Sequence, residues 1–478
     1  MRRMTHAARI ALLLALYVAL ALLPLALAAA QGLPRRPWLD ELSSGLAMAG
    51  FSILLLEFAL SGRSRRLSER IGMDLTMRFH QFMALAALAF LLLHPFLYIP
   101  AFSERPAYGA ASASRVLLTP AAAVTGMLAW ILLAMLIAFA WFRTQLRWSY
   151  ELWRLSHGLG ALAIAALGAH HTLEIGRYAQ QPWLRGFWLA ACAAALAALV
   201  VIYGAKPLLQ SRRRWRVANV APEAERLWRV VLEPEGESDF RFAAGQFVWV
   251  KLRRALGRIT EHPFSIASAP GQLPRLQFLV KEAGDFTRDI GRVAPGTAAY
   301  VDGPYGNFTL AGREGAGIML IGGGAGIAPV LSLARDLAAT HDPRPLKIVY
   351  ADRSAAQLAA RAELEVMARA PGRELHFVVA EPPADWHGLT GWLDLANLRK
   401  CVPRSGAADW LYFVCGPPGM IDAVEMSLAE LGVPLAQITS ERFVYDTGIA
   451  TPRERLTRAV IAAVVAAQLA AVIAFVLR

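Results

Sequence analysis

Seven apolar stretches, most of them long enough to cross a bilayer, set the first constraint on this chain. They lie at 8–30, 45–60, 80–100, 120–142, 155–171, 184–204 and 457–477. A backbone in hydrocarbon must satisfy its own N–H and C=O groups, so each stretch reads as a helix. The second is short for a span. The first has the outline of a secretory signal, with basic "MRRM", an apolar run and a cleavage-like "ALAAAQ", but its run is long for one and a retained helix is expected. The chain has 478 residues, 56% hydrophobic and 18% charged, which leaves room for a sizeable water-soluble part. Three cysteines, Cys192, Cys401 and Cys415, exclude a disulfide framework, and no CxxC spacing offers a zinc or iron–sulfur site. The net charge of +13 gathers in arginines beside the apolar stretches, which suits anionic lipid headgroups rather than nucleic acid. "SGRSRRLSER" (61–70), "RTQLRWSYELWR" (143–154) and "QSRRRWR" (210–216) therefore face the cytoplasm by the positive-inside rule, which puts the C-terminus outside.

Histidines sit where such helices rarely carry them. His80 and His94 are 14 residues apart in one apolar stretch, roughly 21 Å along a helix axis and within about 40° of one face. The stretch "LSHGLGALAIAALGAHHTLE" repeats the pattern with His157 near one end and His170–His171 near the other. His157 to His171 returns to the same face, whereas His157 to His170 is about 140° off in an ideal helix. An imidazole in hydrocarbon needs a partner. One iron-centred macrocycle near each leaflet, held by axial imidazoles from both helices, would satisfy all of them. Gly158, Gly160 and Gly168 would give a flat ring access to the second helix.

From about 206 the character changes. Short β-branched runs such as "GQFVWVKL" and "LQFLVKE" alternate with Gly/Pro turns to about 310, the pattern of a small antiparallel β-barrel. Strand–helix alternation follows to 446, as in a parallel α/β sheet. A linker at 447–456 and the last apolar helix, 457–478, end the chain. The expected fold is thus a membrane α-helical bundle (1–205, six core helices) fused to a β-barrel domain (206–310) and an α/β domain (311–446), with one further C-terminal helix. "HPFSIAS" (262–268) and "VKEAGDFT" (280–287) supply hydroxyls and backbone amides suited to a flavin and its pyrophosphate. "IMLIGGGAGIAP" (318–329) runs from strand through Gly-rich turn to helix start, with Pro329 in the first helical turn, a phosphate cradle. "VYADRS" brings Arg353 and Ser354 to a strand end, in reach of a 2′-phosphate, and "FVCGPPGM" brings Cys415 to another.

Taken in order, "GQF", "HPFSIAS", "VKEAGDFT", "DGPYG", "GGGAGIAP" and "CGPPGM" resemble the ferredoxin–NADP reductase superfamily. Joined to the histidine-bearing helices, the chain resembles the ferric reductase / NADPH oxidase family of transmembrane flavocytochromes. The resemblance covers roughly 45–445. It implies two haem b groups, one held by His80 and His157 and the other by His94 and His170, with His171 as the alternate. FAD would be held by His262, Pro263, Phe264, Ser265 and Ser268, with Gly284 and Thr287 near its pyrophosphate. NADPH, or else NADH, would be held by Gly322, Gly324, Gly326, Pro329, Arg353 and Ser354, with Cys415, Gly416 and Pro417 bordering the nicotinamide. Phe443 in "ERFVYD" resembles the aromatic that covers the flavin and yields to nicotinamide, so Phe443 and Cys415 stand nearest the hydride step. Family members end soon after that aromatic, so the helix at 457–477 is a departure. Another is that no aromatic lies between His157 and His170; Phe90 is the nearest candidate bridge.

By this resemblance the chain sits in a bacterial inner membrane with its nucleotide domains in the cytoplasm. Electrons would pass from NADPH through FAD and both haems to an outer-face acceptor. Molecular oxygen, giving superoxide, and a ferric chelate drawn by Arg105 and Arg177 are the small-molecule options. The alternative is an electron-delivery subunit for a quinone or a partner protein. A haem-less anchor with a degenerate reductase is the remaining reading.

Overall fold

The computed structural model describes residues 6–60, 71–98, 121–143, 145–146, 148–252, 261–284, 286–442 and 451–478. Phe443, Arg105, the basic segment 61–70 and the first part of the linker, 447–450, lie outside them. The chain divides into two compact units, one formed by 1–64, 76–207 and 458–478, the other by 65–75 and 208–457.

Helices α1 (His6–Ala29), α2 (Trp38–Glu57), α3 (Met73–Leu93), α4 (Ala121–Trp141), α5 (Tyr150–Ile175) and α6 (Pro182–Val200) build most of the first unit. Among the described residues, seven helices are long and apolar enough to cross a membrane, the seventh being the C-terminal one. Helix α2 begins seven residues before the apolar stretch that announced it, because its first turns carry Asp40, Glu41 and Ser43. These polar residues are buried and paired, so tertiary contacts rather than apolar composition extend the helix. Ser149 starts α5 by accepting a hydrogen bond from the Leu152 amide at 3.2 Å. The helix then runs unbroken past His171. Glycines let the helices approach closely. A Cβ at Gly168 would meet the Phe51 ring at 2.8 Å, one at Gly160 would meet Leu136 at 2.8 Å, and one at Gly158 would meet Tyr203 at 3.0 Å. The three α5 glycines therefore serve helix packing, not the ring access expected of them.

The second unit holds two sheets. Strands β1 (Arg214–Ala224), β2 (Leu227–Pro234), β3 (Phe247–Leu252), β4 (His262–Ser265), β5 (Leu276–Lys281) and β6 (Ala298–Tyr305) pair antiparallel in the order β4-β3-β6-β1-β2-β5. The sheet curls until a single bridge, Ile266 to Phe278, joins its two edges. A parallel sheet follows, with β7 (Ile318–Gly323), β8 (Leu346–Asp352), β9 (Arg373–Val379), β10 (Leu389–Thr390), β11 (Leu411–Cys415) and β12 (Ile438–Glu441) in the order β10-β9-β8-β7-β11-β12. Its strand order reverses at β7. Such switch points open a crevice at the carboxyl ends of the strands, where ligands bind.

Helix α7 (Ile327–Ala339) fastens the two sheets together. Its Ser332 donates to the Ser268 carbonyl at 2.7 Å. Arg335 donates to the Ala267 carbonyl and to Gln277 Oε1, both at 2.9 Å, while its other edge grips Glu363 at 2.7 Å. A bidentate guanidinium suits this use, since its fork positions as well as binds.

Helix α8 (Pro452–Leu477) takes up the second half of the sequence-predicted linker and packs Ile461, Val464, Val472 and Phe475 into the apolar core of the first unit. Its last residue is clasped. Arg478 reaches Glu41 at 3.3 Å and Tyr178 Oη at 2.8 Å. Glu41, nearly fully buried, also takes Arg36 at 3.2 Å and Arg177 at 3.6 Å. Tyr178 donates to it at 2.5 Å.

Candidate functional site

On α3 a buried stripe runs Met83, Ala87, Phe90 between His80 and His94. Both histidines find a partner on α5, one near each end. The rings of His80 and His157 stand with centroids 6.4 Å apart, and those of His94 and His171 also stand 6.4 Å apart. Two imidazoles bonded to one first-row metal at about 2 Å each, with ring centres about 1.1 Å beyond the bonding nitrogens, come to about 6.2 Å. Both gaps therefore suit a pair of imidazoles that would hold one haem iron between them.

The pairing at His94 differs from the one the resemblance implied and follows the alternate. His171, not His170, faces His94, and His170 turns to Thr125 Oγ1 on α4 at 3.1 Å. Because α5 is regular throughout, 14 residues bring His171 back over His157; a 13-residue spacing would need a distortion that α5 lacks.

His80 on α3 and His94 just past its end are each aimed by the second ring nitrogen. His80 Nδ1 lies 2.7 Å from Glu57 Oε2, and Tyr17 donates to the other oxygen of Glu57 at 2.7 Å. His94 Nδ1 lies 2.8 Å from Ser43 Oγ and 3.2 Å from the Ser43 carbonyl. The Ser43 carbonyl requires Nδ1–H on His94, and Glu57 suits Nδ1–H on His80; Nε2 is then left with the lone pair a metal needs, the usual outer-shell arrangement of a ligating histidine. On the α5 side, His157 stacks on Trp153 at 5.5 Å and 27°. Glu57, Tyr17 and Ser43 escaped the sequence reading: they lie 23 to 51 residues from their partners, and no local motif marks them. Phe90 is buried, with its Cβ 3.1 Å from a Cβ built on Gly50.

In the soluble unit, β4 lies at the sheet edge, where Pro263 and Phe264 pair with Trp249 and Val248. His262 stacks on Phe286 at 4.0 Å and 26°, and Phe264 lies 6.2 Å from the same ring. Together they form an aromatic shelf suited to a flat cofactor. Ser265 is buried at the strand end. Ser268 is fully buried and accepts from the Gln277 amide at 3.1 Å, so its hydroxyl holds the fold together rather than a ligand. Thr287 Oγ1 accepts from the amides of Ala283 and Gly284 at 3.0 and 3.1 Å, which shapes that turn.

At the switch point the two Gly turns interlock. A Cβ on Gly326 would lie 2.3 Å from the Cys415 carbonyl oxygen and 2.6 Å from the Gly416 amide nitrogen. Gly324 adopts φ +55, open to glycine, and the atom closest to a Cβ there is Lys281 Nζ at 3.7 Å. Lys281 thus brings a cation to the turn that the sequence offered for phosphate. At the end of β8 the Ser354 hydroxyl is buried without a hydrogen-bond partner, which suits a ligand-facing group. Arg353 is paired with Glu381 at 2.9 Å. Burial raises the Asp352 carboxyl above its ordinary value. Burial and the nearby Glu441 push the Cys415 thiol well up, so Cys415 stays a protonated, buried wall of the crevice and not a nucleophile.

A helical unit with two facing imidazole pairs, joined to flavin-type and dinucleotide-type modules, defines a membrane-bound NAD(P)H-dependent oxidoreductase. Three family models match the chain in order: "Ferric reductase like transmembrane component" over 46–168, "FAD-binding domain" over 214–309 and "Oxidoreductase NAD-binding domain" over 320–426. Together, the three matches support a ferric reductase/NADPH oxidase-type protein. Similar curated proteins include the propane 2-monooxygenase reductase component of Mycolicibacterium goodii, 29% identical over 48% of this chain and 67% of that one. The flavohemoprotein of Bordetella pertussis is 30% identical over 49% of this chain, which spans 61% of its length. Among solved structures, the Amycolatopsis cytochrome P450 reductase GcoB matches 48% of this chain and 69% of its own at 27% identity and a TM-score of 0.43.

Proposed function

We propose that this protein carries electrons across a membrane, from NAD(P)H on the cytoplasmic side to an acceptor at the outer face. The two imidazole pairs, each separated by 6.4 Å, carry this reading: nothing in helix packing alone calls for two such pairs at opposite ends of the same two helices. When bound, FAD and two haem b groups would supply the conversion of a hydride into single electrons and their one-electron relay. His80 with His157 would hold one haem, and His94 with His171 the other. The Gly322–Gly326 turn, Lys281 and the start of α7 would receive the dinucleotide phosphates, and the His262–Phe286 shelf the flavin. Cys415, Gly416 and Pro417 would wall the nicotinamide, with Phe443 as the aromatic covering the flavin.

Two finer choices rest on particular contacts. Asp352 beside Arg353, and Glu381 paired with it, surround the 2′ position with carboxylates, which favours the ribose diol of NADH over the phosphate of NADPH. Arg177 is committed to Glu41 and to the Tyr178 ring, 5.5 Å away, so it adds little attraction for an anionic ferric chelate. This favours molecular oxygen as acceptor.

The test is an anaerobic visible spectrum of detergent-purified protein given NADH or NADPH, followed by an air pulse. Haem bands that sharpen with nucleotide and relax quickly in air support the reading. Absence of haem bands refutes it, and slow relaxation in air transfers the role to a ferric or protein acceptor.

A further inference from the structure

His80 and His94 are held by groups of different chemistry. Glu57 Oε2 meets His80 Nδ1 at 2.7 Å, and Glu57 Oε1 accepts from Tyr17 at 2.7 Å. With His80 Nε2 bound to iron, Nδ1 would carry the hydrogen, so each oxygen of Glu57 would take one donated hydrogen, as a carboxylate does. Among the described residues no arginine or lysine pairs with Glu57, which is itself buried. At the other end, Ser43 donates its hydroxyl hydrogen to the His94 carbonyl at 2.8 Å, so its oxygen is left to accept from Nδ1. The groups that Ser43 offers His94 are neutral. The carboxylate at that end, Glu41, is instead met by Arg36, Arg177 and Arg478.

We infer that Glu57 is a positioning residue that sets the order of the two haem potentials, making the His80–His157 site harder to reduce than the His94–His171 site. This rests on the haem assignment above. A carboxylate accepting from Nδ1–H makes the imidazole a stronger donor to iron and adds a negative charge beside it in a medium of low dielectric. Both effects favour the oxidised iron. An electron arriving at the His80 end therefore moves downhill to the His94 end, and the forward direction is built into the difference between a Glu and a Ser. Tyr17 moderates the effect, because its hydrogen bond draws on the same carboxylate.

The experiment is a spectroelectrochemical titration of the purified holoprotein without nucleotide, for wild type, Glu57→Gln and Tyr17→Phe. A His94→Ala background, carrying the His80 site alone, assigns the steps. Wild type should titrate in two steps, the lower one belonging to the His80 site. Glu57→Gln should raise that step by about tenfold in its reduction equilibrium, about 59 mV for one electron, and leave the other in place. Tyr17→Phe should move the same step the opposite way. Shifts of one sign in both variants, a shift confined to the step that His94→Ala abolishes, or no shift with both haems retained would overturn the inference. A loss of haem in Glu57→Gln leaves Tyr17→Phe to decide by its sign. A wild-type protein without two haem steps refutes the underlying assignment instead, so the two failures are distinguishable.

Discussion

Replacing His171 by Ala should cost the protein one of its two haems, while replacing the adjacent His170 should cost none. The His171 ring stands 6.4 Å from that of His94, about the sum of two metal–nitrogen bonds and two ring radii. His170 lies one residue back on a regular helix, turned by about 100° and displaced by about 1.5 Å, and its Nδ1 is 3.1 Å from Thr125. The assay is the haem-to-protein ratio of the purified variants, read together with the visible spectrum. His171→Ala and His94→Ala should each fall from about two haems to about one and resemble one another, because each removes one of the two imidazoles that would hold the same haem. His170→Ala should keep two. A His171→Ala protein with two haems beside a His170→Ala protein with one would show that α5 is distorted in the loaded protein and that the pairing described here is wrong.

Gly326→Ala should weaken NAD(P)H binding and lower stability by about 1–3 kcal/mol, since the atoms it meets are backbone and cannot swing aside; Gly271→Ala, with nothing within 4 Å, is the control in the same thermal denaturation. Arg478→Ala should lower stability by only about 1 kcal/mol, because the partly exposed arginine leaves Glu41 with two others; Glu41→Ala should lower the midpoint further, as it strands three guanidinium groups. Asp352→Ser should move the kcat/KM ratio toward NADPH by about tenfold, about 1.4 kcal/mol, and an unchanged ratio would remove Asp352 from the nucleotide site. Burial holds the Glu441 carboxyl well above its ordinary value of 4.5. The folded state then binds the proton more tightly than the unfolded one, so its contribution is full below that value and declines as pH rises toward the raised one. Urea denaturation at a series of pH values should show this decline in wild type and lose it in Glu441→Gln.

The helical unit was legible in the sequence because hydrocarbon leaves a backbone few choices, and because His80, His94 and His157 stand out in apolar surroundings. The Gly-rich turns were equally plain, since interlocking backbones at Gly326 tolerate no other residue. The ordered motifs carried the reading of the soluble half as flavin and dinucleotide modules. The start of α2 was hidden, because Asp40 and Glu41 read as loop residues until their partners Arg36, Tyr178 and Arg478 are known. The choice between His170 and His171 also stayed open, since it turns on whether a helix is regular over one turn. For Ser268 the sequence offered a hydroxyl in a turn, and only the fold shows that it accepts from the amide of Gln277.

What the sequence by itself determined was every feature that depends on near neighbours: spans, turns, and histidines recurring on one helical face. Only the tertiary structure decided which imidazole meets which, that Glu57 stands behind one and Ser43 behind the other, and that the last helix ends in a clasp on Glu41. Those contacts join residues tens to hundreds of positions apart, and no periodicity along a chain records where folding will bring two such side chains together.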